Sequence, residues 1–207
     1  MFIGAERFDD KEKLKLLMTS FEFPEVIFLG SKGSGKTAFA TFFCKNLAEA
    51  LDINLYANYE IDSPCYIPLT SIEDLKNAEC GICLIDELQL FADSRNFKAQ
   101  GNMTLGKMLA EARKNGVWTY GITQHLRNID VRLRQQFTLL FRMKKHYASS
   151  FEEEIYSVDI FRNDVGYETW DEIEENCYLK TNQYSFFDMV DMFKNYNTLS
   201  HVHILDK

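Results

Sequence analysis

Val26-Ile27-Phe28-Leu29 runs without a break into Gly30-Ser31-Lys32-Gly33-Ser34-Gly35-Lys36-Thr37, and no other stretch limits the fold of this chain so tightly. A β-forming apolar run, the spacing G-x-x-x-x-G-K-T and an immediate helical pattern make a Walker A phosphate loop in its required setting. Glycines let backbone N–H groups turn inward around phosphate oxygens where side chains would collide. The helix that follows aims its N-terminus at the same anion. Lys36 supplies a charge for the β- and γ-phosphates, and Thr37 offers a hydroxyl to Mg²⁺. The chain is thereby expected to bind a nucleoside triphosphate.

The second signature is Gly81-Ile82-Cys83-Leu84-Ile85-Asp86-Glu87. Its apolar run reads as a strand buried on both faces, as parallel sheets require. Two acids stand at its C-terminal end, where open α/β sheets bind their ligands. About fifty residues after a Walker A loop, this is a Walker B motif. Asp86 is placed to hold Mg²⁺ through its water shell, and Glu87 to orient the attacking water. ATP and Mg²⁺ are the expected substrate and cofactor.

The 207 residues suit one α/β domain with a small appendage. The expected division is a lead-in over 1–22, a P-loop core over 23–146 and an acidic extension over 147–207 packed on the core. The pattern predicts a strand near 25–30, a helix over 36–51 and a strand over 53–59. A turn-rich connection follows, then a helix capped by Thr70 and Glu73 through Asn77. Further on come a helix ending at Arg113-Lys114 before Gly116, and a strand from Val117 to Thr123 ending at Gln124. A short basic helix over 131–136 precedes a strand over 137–142. Ile155–Phe161 reads as an edge strand and Phe186–Phe193 as a terminal amphipathic helix. Together these make a mainly parallel sheet flanked by helices, an α/β P-loop NTPase fold.

Five scattered cysteines include Cys80-x-x-Cys83, but Cys83 falls inside the apolar strand and no second ligand pair exists, so buried thiols are expected rather than zinc. No 18-residue apolar run or secretory signal occurs, so the protein is expected inside a cell or packaged inside a particle. Net charge is −8, yet residues 95–145 carry +9 against −17 for the rest. That asymmetry fits a nucleic-acid face on an acidic body, or equally a basic segment neutralised within the molecule.

Glu111-Ala112-Arg113-Lys114-Asn115-Gly116-Val117, Ile122-Thr123-Gln124 and Asp130-Val131-Arg132-Leu133-Arg134 resemble the HerA/FtsK superfamily of DNA-pumping ATPases. With so small a core the chain is most similar to genome-packaging ATPases of membrane-containing double-stranded DNA viruses. The resemblance covers residues 24–145. It implies that Gln124 contacts the γ-phosphate or lytic water, and that an arginine from a neighbouring subunit reaches the site. Arg113 is the first choice for that finger, with Arg95, Arg132 and Arg134 as alternatives. It also implies a homo-oligomeric ring, a hexamer or pentamer, and sequence-independent contact with double-stranded DNA, with Arg127, Arg132 and Arg134 close to the Gln124 strand. Capsid or membrane proteins at a packaging vertex are further implied partners. The alternatives are another HerA/FtsK-like motor, a phage-assembly ATPase of the zonular-occludens-toxin type, a small nucleotide kinase, or a non-catalytic scaffold. The toxin-type ATPase normally carries a transmembrane helix, which this sequence lacks. The kinase would need an arginine-rich lid, and a scaffold would be expected to have lost Lys36, Asp86 or Glu87.

Overall fold

The computed structural model describes residues 25–89, 105–129, 131–147, 154–167, 169–185, 189, 192 and 194. In chain order the elements are β1 (Val26–Leu29), α1 (Lys36–Leu51), β2 (Asn54–Ala57), β3 (Tyr66–Pro68), α2 (Ile72–Asn77) and β4 (Gly81–Ile85). Next come α3 (Leu105–Lys114), β5 (Val117–Thr123), a 3₁₀ turn at Leu126–Asn128 and α4 (Val131–Arg134). β6 (Leu139–Tyr147), β7 (Glu154–Arg162), α5 (Trp170–Asn176) and β8 (Tyr178–Ser185) complete them.

The eight strands form one sheet in the order β3-β2-β4-β5-β1-β6-β7-β8. All pairings from β3 to β6 are parallel, and β7 runs antiparallel to both β6 and β8. The Walker A strand therefore lies between β5 and β6, and β5 alone separates it from the Walker B strand. With every strand from β1 to β6 pointing the same way, Gly30, Asp86 and Gln124 all emerge at one edge of the sheet. The carboxyl edge of an open α/β sheet is where ligands bind.

Helices cover both faces, as buried parallel strands demand. α1 packs Phe39, Phe43 and Leu47 on the face that carries Val26, Phe28, Tyr120 and Phe141. These rings set the angle of α1: Phe28 stacks on Phe141 at 5.3 Å and meets Phe39 and Phe43 edge-on near 6 Å. Aromatic pairs prefer such offset and T-shaped arrangements. α3, α4 and α5 place Leu109, Leu133 and Ile173 on the opposite face, against Ile27, Ile85 and Leu140. Among the described residues no helix is long and apolar enough to cross a membrane.

Several boundaries differ from the sequence pattern. The α2 cap is Ser71 with Asp74, one residue on from Thr70 and Glu73. Asp74 is the better acceptor because its carboxylate reaches the Thr70 N–H, the Thr70 hydroxyl and the Ser71 N–H together, at 2.7–2.9 Å. The connection through Pro64 and Pro68 contains the short strand β3. β7 is an interior strand, not an edge, because β8 pairs along its other side. Within the proposed terminal helix at 186–193, only Met189 and Met192 are described; both are helical and buried in the α1 layer. The lead-in over 1–22 and the alternative finger Arg95 lie outside the described residues.

Candidate active site

The phosphate loop leaves β1 at Gly30, whose missing side chain is required: a Cβ there would stand 2.3 Å from Ser34 Oγ and 2.9 Å from the Met143 carbonyl. Gly33 and Gly35 take left-handed φ values of 79° and 82°, which L side chains rarely adopt. A Ser34 N–H to Ser31 carbonyl bond of 3.1 Å closes the loop. Gly35 is also the N-cap of α1, which has neither a side-chain cap nor an acid in its first turn. An uncapped helix start leaves its donors to an anion. Ser34 Oγ is buried without a hydrogen-bond partner. That orphaned hydroxyl, lodged in a cradle a Cβ would fill, fits a loop shaped around phosphate oxygens. Ser31, Lys32 and Gly33 are exposed at its rim, whereas Lys36 is buried beneath it.

The structure brings the Walker residues together. Thr37 Oγ1 donates to Asp86 Oδ2 at 3.2 Å. Burial pushes the Asp86 carboxyl above the usual carboxylate range, and the neighbouring Glu87 charge adds to this. The Glu87 N–H, Lys36 and Thr37 oppose the shift. A carboxylate and a hydroxyl side by side are hard oxygen donors suited to Mg²⁺.

Sequence reading missed what holds Asp86. Asn58, buried just beyond β2, accepts from the Asp86 N–H at 2.8 Å through Oδ1 and donates from Nδ2 to the Asp86 carbonyl at 3.1 Å. The chain next turns through Glu87 at φ 53°, left-handed for a non-glycine residue. Such a conformation costs on the order of 1–3 kcal/mol and persists only where neighbours enforce it. Here the Glu87 N–H returns to Asp86 Oδ1 at 2.8 Å, and Leu88 packs against Gly121, where a Cβ would lie 2.5 Å from a Leu88 methyl. Gln89 Nε2 donates to the Glu87 carboxylate, and Thr123 Oγ1 donates to Gln89 Oε1 at 2.8 Å. A chain of contacts thus joins Glu87 to the end of β5, one residue before Gln124. A polar residue at the C-terminal end of a buried strand was the available signal for Asn58.

Gln124 sits beside the phosphate loop, on a basin of about 650 Å³ that also touches Gly30, Ser31, Arg127 and Arg134. The Arg132 side chain lies outside the described residues. Arg113 is elsewhere. It lies in the last turn of α3, beyond which Asn115 and Gly116 bond to Cys80 and Gly81 at the start of β4, the opposite edge from the Walker acids. Its charge acts there on buried Glu25. Cys83 is buried and Cys80 exposed.

The family described as "ATPase family associated with various cellular activities (AAA)" matches residues 26–145. No curated protein matches the sequence significantly. The fold is similar to that of the N-terminal domain of zonular occludens toxin from Neisseria meningitidis, at TM-score 0.52 and 14% identity, over 84% of this chain and 99% of that one. It is equally similar to B204, the DNA-packaging ATPase from Sulfolobus turreted icosahedral virus, at TM-score 0.52 and 14% identity, over 77% of this chain and 96% of that one. B204 from Sulfolobus turreted icosahedral virus 2 in complex with ATP-gammaS matches at TM-score 0.51 and 11% identity, over 77% and 96%.

Proposed function

The chain belongs to the ATPase family associated with various cellular activities, and from that premise we propose that it is an ATP-hydrolysing DNA translocase of the genome-packaging type, acting as a ring on double-stranded DNA. The observation that carries this reading is the shared edge of Gln124, Arg127 and Arg134, which places basic side chains beside the residue proposed to sense the γ-phosphate. Loss of the phosphate at Gln124 is then felt directly by groups that grip a phosphate backbone.

Within the site, Gly30 to Thr37 cradle the triphosphate and Lys36 neutralises its β/γ end. Mg²⁺, held by Thr37 and Asp86, would supply charge for the developing phosphate oxygens. Glu87 takes the water's proton side and orients it, and Gln89 keeps the Glu87 carboxylate in place until then. Arg113, at the far edge of its own sheet, serves a neighbouring subunit's site. Such a finger stabilises transition-state charge and is worth about 10³–10⁵ in rate.

A motor of this kind grips any duplex, so its contacts are to phosphates rather than bases. The test is displacement of a triplex-forming oligonucleotide from duplex DNA, driven by ATP and lost in Glu87→Gln. Displacement by the wild-type protein alone supports translocation. No displacement by an assembled, ATP-hydrolysing protein contradicts it. The likeness in fold to the toxin domain supports a second reading, phage assembly, which predicts hydrolysis without displacement.

A further inference from the structure

Along β6 the side chains alternate between the two faces of the sheet. Leu139, Phe141 and Met143 belong to the α1 layer, so Arg142, Lys144 and His146 project to the other face. There they meet Arg127 after β5, Arg134 of α4 and Trp170 of α5 around the same basin of about 650 Å³. The basin touches the phosphate loop only at Gly30 and Ser31. Gly33 to Thr37, Asp86 and Glu87 do not line it, so it is a neighbour of the triphosphate cradle rather than part of it.

Among the described residues, five Lys/Arg line it, Lys145 being the fifth, and the acid there is Asp171. Two further carboxylates lie behind the wall. Asp159 pairs with Arg142 and Lys144 at 2.8 and 2.9 Å, and Glu174 pairs with Arg142 at 2.8 Å. Those pairs fix the Arg142 guanidinium, which also lies 4.8 Å from the Trp170 ring and 5.1 Å from that of Phe161. Among the described residues, five Lys/Arg thus stand around the basin with three carboxylates. Guanidinium forks match phosphate oxygens in geometry, and an indole gives a base a surface to stack on.

We propose that this basin is a second phosphate site, which takes one nucleotide unit with its phosphate on Arg127, Arg134 and Lys144 and its base toward Trp170. Pockets of about 300–1,000 Å³ take single small molecules, and this volume falls within that range. The unit comes either from a free nucleoside monophosphate or from a nucleic-acid strand. In either case it sits against Gln124, so its occupancy is coupled to the triphosphate site. The proposal takes the position of the ATP site from the functional reading above, but not the hydrolytic step.

The experiment saturates the phosphate loop with Mg²⁺ and a non-hydrolysable ATP analogue. Inorganic phosphate, thymidine monophosphate or a short 5′-phosphorylated oligothymidylate is then titrated by calorimetry at low salt. The chain has two tryptophans, so a Trp118→Phe background assigns any fluorescence change to Trp170. A second equivalent bound per chain, with Trp170 quenched, is the expected result. Arg127→Ala combined with Lys144→Ala should weaken it by about tenfold or more, since charged hydrogen bonds to phosphate are among the stronger ones. Analogue binding in the same variant reports that the protein is folded. Binding of thymidine monophosphate identifies a free-nucleotide site, and binding of the oligonucleotide alone identifies a strand site. No second equivalent, or equal affinity in the double variant, overturns the proposal, as does inorganic phosphate binding as tightly as either nucleotide. Failure to bind the analogue in the first place would instead count against the ATPase reading.

Discussion

Thr37 and Asp86, 49 residues apart in sequence, are joined by a 3.2 Å hydrogen bond across the carboxyl edge of the sheet. It ties the phosphate loop to the Walker B turn through two oxygen donors. Asp86 cannot drift from that position, because the Asn58 carboxamide holds its backbone at both N–H and carbonyl. Asn58 is therefore a positioning residue. Asn58→Ala should destabilise the fold by about 1–3 kcal/mol, the cost of leaving a buried backbone donor and acceptor unpaired. Turnover should fall more than ATP affinity does, because the phosphate loop is untouched. Chemical denaturation and steady-state kinetics on the same preparation check this. An unchanged kcat in a destabilised protein would reduce Asn58 to a purely structural role.

The two Walker functions should separate by mutation. Lys36→Ala should abolish tight nucleotide binding, and Glu87→Gln should bind ATP but not turn it over. Nucleotide binding by calorimetry beside phosphate release distinguishes them. Equal turnover by Glu87→Gln and wild type would remove Glu87 from the chemistry.

If Arg113 acts in trans, a mixture should do what neither partner can. Glu87→Gln and Arg113→Ala proteins, each inactive, should regain ATP turnover when mixed, since some interfaces then carry both intact groups. Phosphate release across mixing ratios gives the answer. A fully active monomer at every concentration would rule out a shared site.

Glu25 predicts a pH dependence unrelated to catalysis. Burial raises its carboxyl from 4.5 to about 7, despite the Thr119 N–H and the Arg113 charge, which both lower it. The folded protein then holds this proton more tightly than the unfolded chain does. The group's contribution is full below pH 4.5 and is lost as pH rises through 7, on the order of 3 kcal/mol in all. Glu25→Gln should therefore flatten stability against pH between 5 and 8 in urea titrations. An unchanged slope would mean that Glu25 is charged in the fold at neutral pH.

β1, the phosphate loop and α1 were legible because the motif works only between a strand and a helix, and the rings of Phe39 and Phe43 recur at helical spacing. Walker B was legible for the same reason. What escaped was set by tertiary pairing. β3 is three residues among turn formers, and its strand character comes only from pairing with β2. β8 carries Lys180, Thr181, Asn182 and Gln183, too polar to read as a strand, and missing it made β7 look like an edge. α5 did leave a signal, since Thr169 and Glu172 form a capping box. The basin could not be read at all. Its residues come from the phosphate loop, β6, the chain after β5, α4 and α5, and only the fold puts them around one space.

ATP turnover by the assembled protein, with and without double-stranded DNA at low salt, tests the central claim most directly. The account predicts that duplex DNA of any sequence stimulates turnover. The DNA-dependent increment should shrink in Arg132→Ala combined with Arg134→Ala. The slope of log K against log salt should flatten by about one unit for each lost phosphate contact. An assembled oligomer that hydrolyses ATP at one rate whether or not duplex DNA is present, and does not bind it, would contradict the account.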